Sequence, residues 1–461
     1  MDSHSESFRD HSATIDENGK RKWVFAYKPR GKFYSARTYL SWVYLLLFFG
    51  IPFLKVNGEP WLLLNVIERK FIVFGFVFWS QDFYLFGITM ILFVVFIIVF
   101  TVAFGRLFCG WACPQTIFME MVFRKIEYWI DGDAPAQQAL KRKPWNAEKI
   151  RKRITKWIVF YAVSFLIGNA FLAYIIGVDH LKQFIMDPWG THVKGLIAMM
   201  LFSFIFFLVY LRFREQVCTV VCPYGRLQGV LLDRHSVVVA YDYVRGEPRG
   251  KASEEGSHGD CIDCKACVRV CPTGIDIRNG TQLECVNCTA CIDACDEIMD
   301  QIHKPRKLIR YASESNIAQK KKLRFTTRIK AYSAVLLLIL SALVVMLSTR
   351  DAVDVTILRT QGMIYQELPG GYIGNLYSAR MFNKTHRNIK VNFENTGIDG
   401  TIEIIGKQPL IEKESYAVIT FLVKRKAERI QKRKTELTIQ ISAEGKKIAT
   451  KRTTFIGPIA N

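Results

Sequence analysis

All twelve cysteines of this 461-residue chain fall into two patterns, and both are patterns that hold or move electrons. Eight form two C-x-x-C-x-x-C-x-x-x-C runs: Cys261, Cys264, Cys267, Cys271 and Cys285, Cys288, Cys291, Cys295. In a ferredoxin-type pair the first three cysteines of a run hold one cubane and the fourth reaches across to the other. The spacing therefore assigns one [4Fe–4S] cluster to Cys261, Cys264, Cys267 and Cys295, and a second to Cys285, Cys288, Cys291 and Cys271. Soft thiolate donors suit such clusters, whereas paired zinc sites separate their C-x-x-C halves by a longer spacer. One departure is visible: Cys271 precedes Pro272, but Cys295 precedes Asp296. The missing proline leaves ligation intact and alters the local geometry. No C-x-x-C-H occurs, so covalent haem is not expected.

The other four cysteines form two C-x-x-x-C-P elements, Cys109 and Cys113 before Pro114, and Cys218 and Cys222 before Pro223. A following proline biases the cysteine away from αR and is comfortable as the first residue of a helix. Ile117, Phe118, Met121 and Val122 then repeat at helical spacing. Cys113, and by the same logic Cys222, is expected at a helix N-terminus, where the dipole and nearby arginines favour thiolate. Such a pair has three uses: soft-metal ligation, thiol–disulfide exchange, or packing. A lone pair argues for packing, but duplication in a chain that commits its remaining cysteines to clusters argues for metal, with Cu(I) favoured by soft donors. His180 and His192 fall in one loop, but the eight histidines of the chain give no ligand pair at helical spacing.

These groups need elements to carry them. Half of the chain is hydrophobic, with 33 Phe, and a bilayer core of roughly 30 Å takes about 20 apolar residues to cross. Five stretches meet or approach that length, at about 39–57, 83–104, 157–177, 193–211 and 330–348. A shorter apolar stretch, Phe71 to Trp79, reads as interfacial or re-entrant. Trp42, Trp61, Trp79 and Trp189 near span ends read as interfacial anchors. The formal charge of +22 is a topology signal, because Lys and Arg collect on the cytoplasmic side. The segment from Arg106 to Arg153 and the segment from Lys320 to Lys330 are both basic, which places both inside. Nucleic-acid binding is disfavoured, since the basic residues hug apolar spans. Two spans followed by C-x-x-x-C-P occur twice, leading into Arg106-Leu-Phe-Cys109 and Arg214-Glu-Gln-Val-Cys218, so both elements sit just inside the cytoplasmic face.

The fold class is a multi-domain membrane protein. About five α-helical spans carry an inserted ferredoxin-like 2[4Fe–4S] module and a C-terminal immunoglobulin-like β-sandwich. Residues 1–38 form a polar cytoplasmic tail without signal-peptide character; 39–232 form a four-span domain holding both C-x-x-x-C-P elements. A linker covers 233–260, the cluster module 261–300, a basic linker 301–329 and the fifth span 330–348. Residues 350–461 read as short strands at Asp354–Arg359, Asn388–Phe393, Thr401–Ile405, Ala417–Val423 and Glu436–Ile441, with turns at Asn395-Thr-Gly397 and Glu444-Gly445.

The sequence resembles the FixG/CcoG/RdxA family, cytochrome c oxidase accessory proteins of bacterial inner membranes. The matching segments are Cys109-Gly-Trp-Ala-Cys113-Pro114-Gln115, Val221-Cys222-Pro223-Tyr224-Gly225, Arg245-Gly-Glu-Pro-Arg249-Gly, Cys271-Pro-Thr-Gly-Ile-Asp276-Ile-Arg278 and Cys291-Ile-Asp-Ala-Cys295-Asp-Glu297. The resemblance implies an immunoglobulin-like periplasmic domain at the C-terminus and a role in maturing a cbb-type haem–copper oxidase, by reducing Cu(II) to Cu(I). It implies that Cys109, Cys113, Cys218 and Cys222 handle copper and that the other eight cysteines ligate clusters. The partners implied are the lipid bilayer, a cytoplasmic electron donor, copper-delivery proteins and oxidase subunits. A quinol-linked conduit, as in polyferredoxin relatives, and a non-catalytic assembly scaffold are the alternatives.

Overall fold

The computed structural model describes residues 14–15, 18, 20–56, 58–66, 70–78, 83–188, 191–250, 258–320, 327–349, 353–360, 362, 364–385, 387–395, 399–406, 410–413, 415–443 and 446–458. Trp79, Trp189, the Ser253–Ser257 stretch, Lys321 and Lys322, and most of the two expected β-turns lie outside the described residues. The chain divides into two compact units, Met1–Leu343 and Val344–Asn461.

Among the described residues five helices are long and apolar enough to cross a membrane: Lys32–Phe53, Tyr84–Phe104, Ala147–Ile176 and Val193–Phe213 within the first unit, and Thr327–Ser348, which runs across its boundary at Leu343. The third starts ten residues before its apolar stretch, because Asn146 caps it by accepting from Lys149 N at 2.9 Å and the helix runs on through basic residues. The first starts at Lys32, inside the expected tail. The stretch read as interfacial or re-entrant is β-structured over Phe71 to Phe78. It lies in an antiparallel meander of β1 (Leu62–Asn65), β2 (Lys70–Val73) and β3 (Phe76–Phe78). Alternation of Phe71, Val73, Phe76 and Phe78 with other apolar residues suits paired strands, which satisfy their backbone groups locally.

After the first C-x-x-x-C-P element the chain forms the helix Pro114–Ile117, a π-helical stretch Phe118–Phe123 and the helix Arg124–Ile130. Phe118, Met119 and Phe123 are buried against Phe160, Ile167 and Tyr210 of the third and fourth spans. Phe123 stacks on Tyr210 with ring centroids 4.3 Å apart. Below this aromatic core lies a buried charge network. Glu127 accepts from Arg214 Nη2 at 2.6 Å and from Lys156, and Lys156 Nζ reaches Asp131 Oδ2 at 2.9 Å. Burial raises the cost of the Glu127 charge, but Arg214 and Lys156 outweigh it and hold the carboxyl well below its ordinary range. Arg214, four residues before Cys218, is thereby fixed to the helix that follows Cys113.

The cluster module extends beyond its cysteine runs. β4 (Val238–Tyr241) pairs antiparallel with β5 (Ile309–Ala312), so both expected linkers contribute a strand. Arg245 binds Asp260 and the carbonyls of Pro305 and Arg306, tying the first linker to the second. The N-terminal tail is a strap against this module. Tyr27 N donates to Arg269 O at 2.9 Å, and Phe33 N and Tyr34 N donate to the Asp293 carboxylate at 3.1 and 2.8 Å. Trp23 lies under both Arg21 and Arg214, each 4.5 Å from its ring centroid.

The second unit is a two-sheet β-sandwich of antiparallel strands. They are β6 (Val353–Arg359), β7 (Gln366–Leu368), β8 (Tyr372–Asn383), β9 (Ile389–Asn395), β10 (Thr401–Ile404), β11 (Leu410–Ile411), β12 (Tyr416–Lys426), β13 (Lys434–Ala443) and β14 (Lys446–Ile456). One sheet runs β10-β12-β8-β6 with β7 beside β8; the other runs β11-β9-β13-β14. Ile419, Phe421 and Val423 face Leu437, Ile439 and Ile441 in the core, at the period of two that strands require.

Candidate functional site

The two cysteine runs fold with the same local twist. Asp263 and Lys265 between the first three cysteines, and Asn287 and Thr289 at the equivalent places of the second run, all have φ between 50° and 64°. Four non-glycine residues in the left-handed region, one of them β-branched, mark loops bent around something specific. Each loop borders a small cavity. Cys261, Cys264, Cys267 and Cys295 line one, with Tyr241, Arg278 and Met299. Cys271, Cys285, Cys288 and Cys291 line the other, and Cys267 stands between the two. Burial pushes the thiols of Cys267, Cys285 and Cys295 up to about 12 and that of Cys288 to about 11, so iron binding must displace their protons. The Asn287 side-chain nitrogen is buried without a partner at the lip of the second cavity.

The proline difference has a structural consequence. In the first run the helix Ala266–Arg269 stops before Cys271-Pro272, whereas in the second the helix Ala290–Gln301 continues through Cys295. Without proline, Asp296 stays helical and its carboxylate accepts from Lys307 N at 2.8 Å.

The two C-x-x-x-C-P elements are local copies. Cys113 N donates to Phe108 O at 2.9 Å, and Cys222 N donates to Val217 O at 2.8 Å. Each second cysteine is extended and forms the N-cap of the helix that its proline starts, Pro114–Ile117 and Pro223–Leu231. The fold brings the four thiols near one another without packing them tightly enough to hold an ion as they stand: Cys109 lies within electrostatic reach of Cys113 and Cys222, and Cys218 within reach of all three others. Burial pushes Cys109 up to about 11 and Cys218 to about 12, and the neighbouring thiols add to both. The Cys109 thiol donates to Gln228 Oε1 at 3.5 Å. The amide nitrogens of Gln228 and of Gln115, two residues after Cys113, are buried without partners. Spare buried donors beside clustered thiols fit a set that becomes anionic when it binds a soft metal.

This group lies against the second cavity. Cys109 packs on the cluster of Val286, Cys288 and Ala290. Gly110 is at backbone contact with the opposite loop: a Cβ there would meet Val286 O at 2.5 Å and Asn287 O at 2.7 Å. Arg37 donates to both loops, Nε to Gly110 O and Nη1 to Cys288 O, each at 3.0 Å. Arg106 donates to Leu283 O and Gly225 O. Trp111 Nε1 donates to Tyr311 OH at 3.0 Å, which donates to Asn287 O at 3.3 Å.

Three family models and three relatives bear on this arrangement. A 4Fe-4S dicluster domain matches residues 213–314, a 4Fe-4S binding domain matches residues 86–133, and the IG-like fold at the C-terminal of FixG, putative oxidoreductase, matches residues 343–458. Protein RdxA of Cereibacter sphaeroides is 35% identical over 404 residues, 84% of either chain. The chain belongs to the FixG/RdxA family. Protein RdxB of the same organism is 35% identical over 383 residues, 79% of this chain and 80% of RdxB. The nitrogen fixation protein FixG of Rhizobium meliloti is 31% identical over 321 residues, 65% of this chain and 59% of FixG. The chain is thus an integral-membrane iron–sulfur electron-transfer protein with two [4Fe–4S] clusters and a C-terminal Ig-like domain.

His180 and His192 line neither cysteine cavity. His192 Nε2 sits 3.0 Å from Asp187 Oδ2, its ring against Phe184, and among the described residues no group of three His, Cys, Asp or Glu is compact enough to hold a metal ion as it stands. Sequence reasoning missed Arg37, Gln228 and the tail strap, and read the arginines beside the C-x-x-x-C-P elements as favouring thiolate without seeing the carbonyls and the carboxylate that Arg106 and Arg214 bind. Their placement ahead of Cys109 and Cys218 in the repeat was the available signal.

Proposed function

We propose that this protein is a membrane cupric reductase that supplies Cu(I) for assembly of a cbb-type cytochrome c oxidase. Cys109, Cys113, Cys218 and Cys222 bind copper; Cys261, Cys264, Cys267 and Cys295 hold one cluster, and Cys285, Cys288, Cys291 and Cys271 the other. When bound, the clusters supply single electrons, which match the one-electron step Cu(II) + e⁻ → Cu(I). The convergence of the four thiols beside the second cavity carries this reading, because it gives copper a soft site in direct backbone contact with a cluster loop. Thiolate ligation favours Cu(I) over Cu(II), so the site drives reduction as well as binding. Gln115 and Gln228 supply buried amide donors to the developing thiolate charge.

The positive-inside rule places the N-terminus, the thiols and the clusters in the cytoplasm of a bacterial inner membrane, and five spans put the Ig-like domain in the periplasm. Electrons enter from a cytoplasmic donor, and copper-delivery proteins and oxidase subunits are the downstream partners. The test is the purified protein carrying Cys109→Ser and Cys113→Ser. Loss of copper binding and of Cu(II) reduction with full iron and sulfide content is expected; unchanged copper binding and reduction overturns the proposal.

A further inference from the structure

Arg37 is 6% exposed although it sits in the second turn of the first span. Its guanidinium bridges the carbonyls of Gly110 and Cys288, so it lies between the C-x-x-x-C-P element and the second cysteine run. Cys288, Tyr311 and Asp293 all feel its charge. The Asp293 carboxylate is already engaged by Phe33 N and Tyr34 N, and the Phe33 ring packs edge-on to Trp111 and Tyr311. A buried cation that donates to two carbonyls without a bidentate carboxylate partner in these contacts retains its field for what lies beside it.

We infer that Arg37 is a positioning residue for electron transfer: its charge favours the reduced state of the cluster held by the Cys285–Cys288 loop, and its fork clamps that loop to the Cys109–Cys113 element. The inference rests on the proposed ligand assignment. Gaining an electron makes a cluster one unit more negative, and a cation held in a low-dielectric environment stabilises that state. Arg37 lines neither cavity, but its hydrogen bonds reach Cys288 and no cysteine of the distal cluster, held by Cys261, Cys264, Cys267 and Cys295. Its potential is therefore expected to be insensitive to the same change.

The experiment is a potentiometric titration of the purified full chain in lipid nanodiscs, followed by electron paramagnetic resonance. Arg37→Gln is expected to weaken reduction of one cluster at least tenfold, about 59 mV for a one-electron couple, and to leave the other unmoved. Arg37→Lys, which keeps the charge, is expected to recover most of that shift. Two unmoved potentials, or an equal shift of both, overturns the inference. Should Arg37→Gln load no iron, Arg37→Met, an unbranched side chain without charge, decides by the same titration: a fall in one potential alone is expected, and two unmoved potentials overturn the inference. These potentials are read without copper, so failure of the cupric-reductase reading and failure of the Arg37 inference give different results.

Discussion

Replacing Gly110 by alanine tests the contact on which communication between thiols and cluster depends. The added methyl would sit 2.5 Å from Val286 O, 2.7 Å from Asn287 O and 2.9 Å from the Asn287 carbonyl carbon. All three are backbone atoms in the left-handed Asn287 loop, so no side chain can swing aside. Restoring ordinary contact requires the two loops to part by roughly an ångström, and overpacking of this kind costs about 1–3 kcal/mol. The same movement stretches the two 3.0 Å bonds from Arg37, which cannot follow both carbonyls; a hydrogen bond from a charged donor is worth about 1.5–3 kcal/mol. Gly110→Ala is therefore expected to destabilise the first unit by about 2–4 kcal/mol. It is also expected to slow copper-dependent reoxidation of the reduced clusters while iron content stays full. Thermal unfolding in micelles and stopped-flow bleaching after mixing with Cu(II) measure the two effects. Wild-type stability together with a wild-type rate would refute the close-approach argument.

Three other outcomes follow from the described contacts. Glu127→Gln leaves Arg214 buried without its carboxylate and Lys156 with Asp131 alone, and is expected to cost about 3–5 kcal/mol, seen as earlier thermal unfolding. In the wild type the Glu127 contribution is fully present above the ordinary carboxylate value of 4.5 and is lost as pH falls below it, so the acid limb of the stability profile should flatten in the variant. Asn375, 1% exposed, accepts from Ile456 N at 2.9 Å and donates to Ile456 O at 2.7 Å across the two sheets; Asn375→Ala should destabilise the sandwich by about 2–4 kcal/mol, read by calorimetry of the full chain. Cys109 and Cys218 are raised to about 11 and about 12, so copper must displace protons from them. Apparent Cu(I) affinity, measured by chelator competition, should then climb with pH by up to about tenfold per unit for each proton released.

The cysteine spacing was the most legible part of the chain because ligation is written into local sequence: the eight cysteines line two neighbouring cavities, with Cys267 on both. The spans were legible from apolar length. What periodicity could not see were segments whose polarity is satisfied by distant partners. β8 was missed because Asn375 and Asn383 interrupt its apolar pattern; Asn375 reaches Ile456, while Asn383 donates to the carbonyls of Arg387 and Glu412. β4 and β5 were read as linkers because each is only four residues long and finds its partner some 70 residues away. The tail looked like a free cytoplasmic segment because its ties, from Tyr27 to the Arg269 carbonyl and from Tyr34 to the Asp293 carboxylate, are donated by backbone N–H groups, which carry no sequence signature. Arg37 belongs to the same class, since a side chain that donates to two carbonyls leaves no partner to recognise.

The most direct measurement of the central claim is a single-turnover reaction of the dithionite-reduced, cluster-replete protein with Cu(II), following cluster reoxidation and Cu(I) formation together. Sulfur coordination of the copper product is read by X-ray absorption. One Cu(I) per electron lost from the clusters, bound by sulfur alone in the wild type, is expected, with both signals abolished when Cys109, Cys113, Cys218 and Cys222 are all replaced by serine and the iron is retained. Reoxidation at the wild-type rate in that quadruple variant, or a copper product without sulfur ligands, would contradict it.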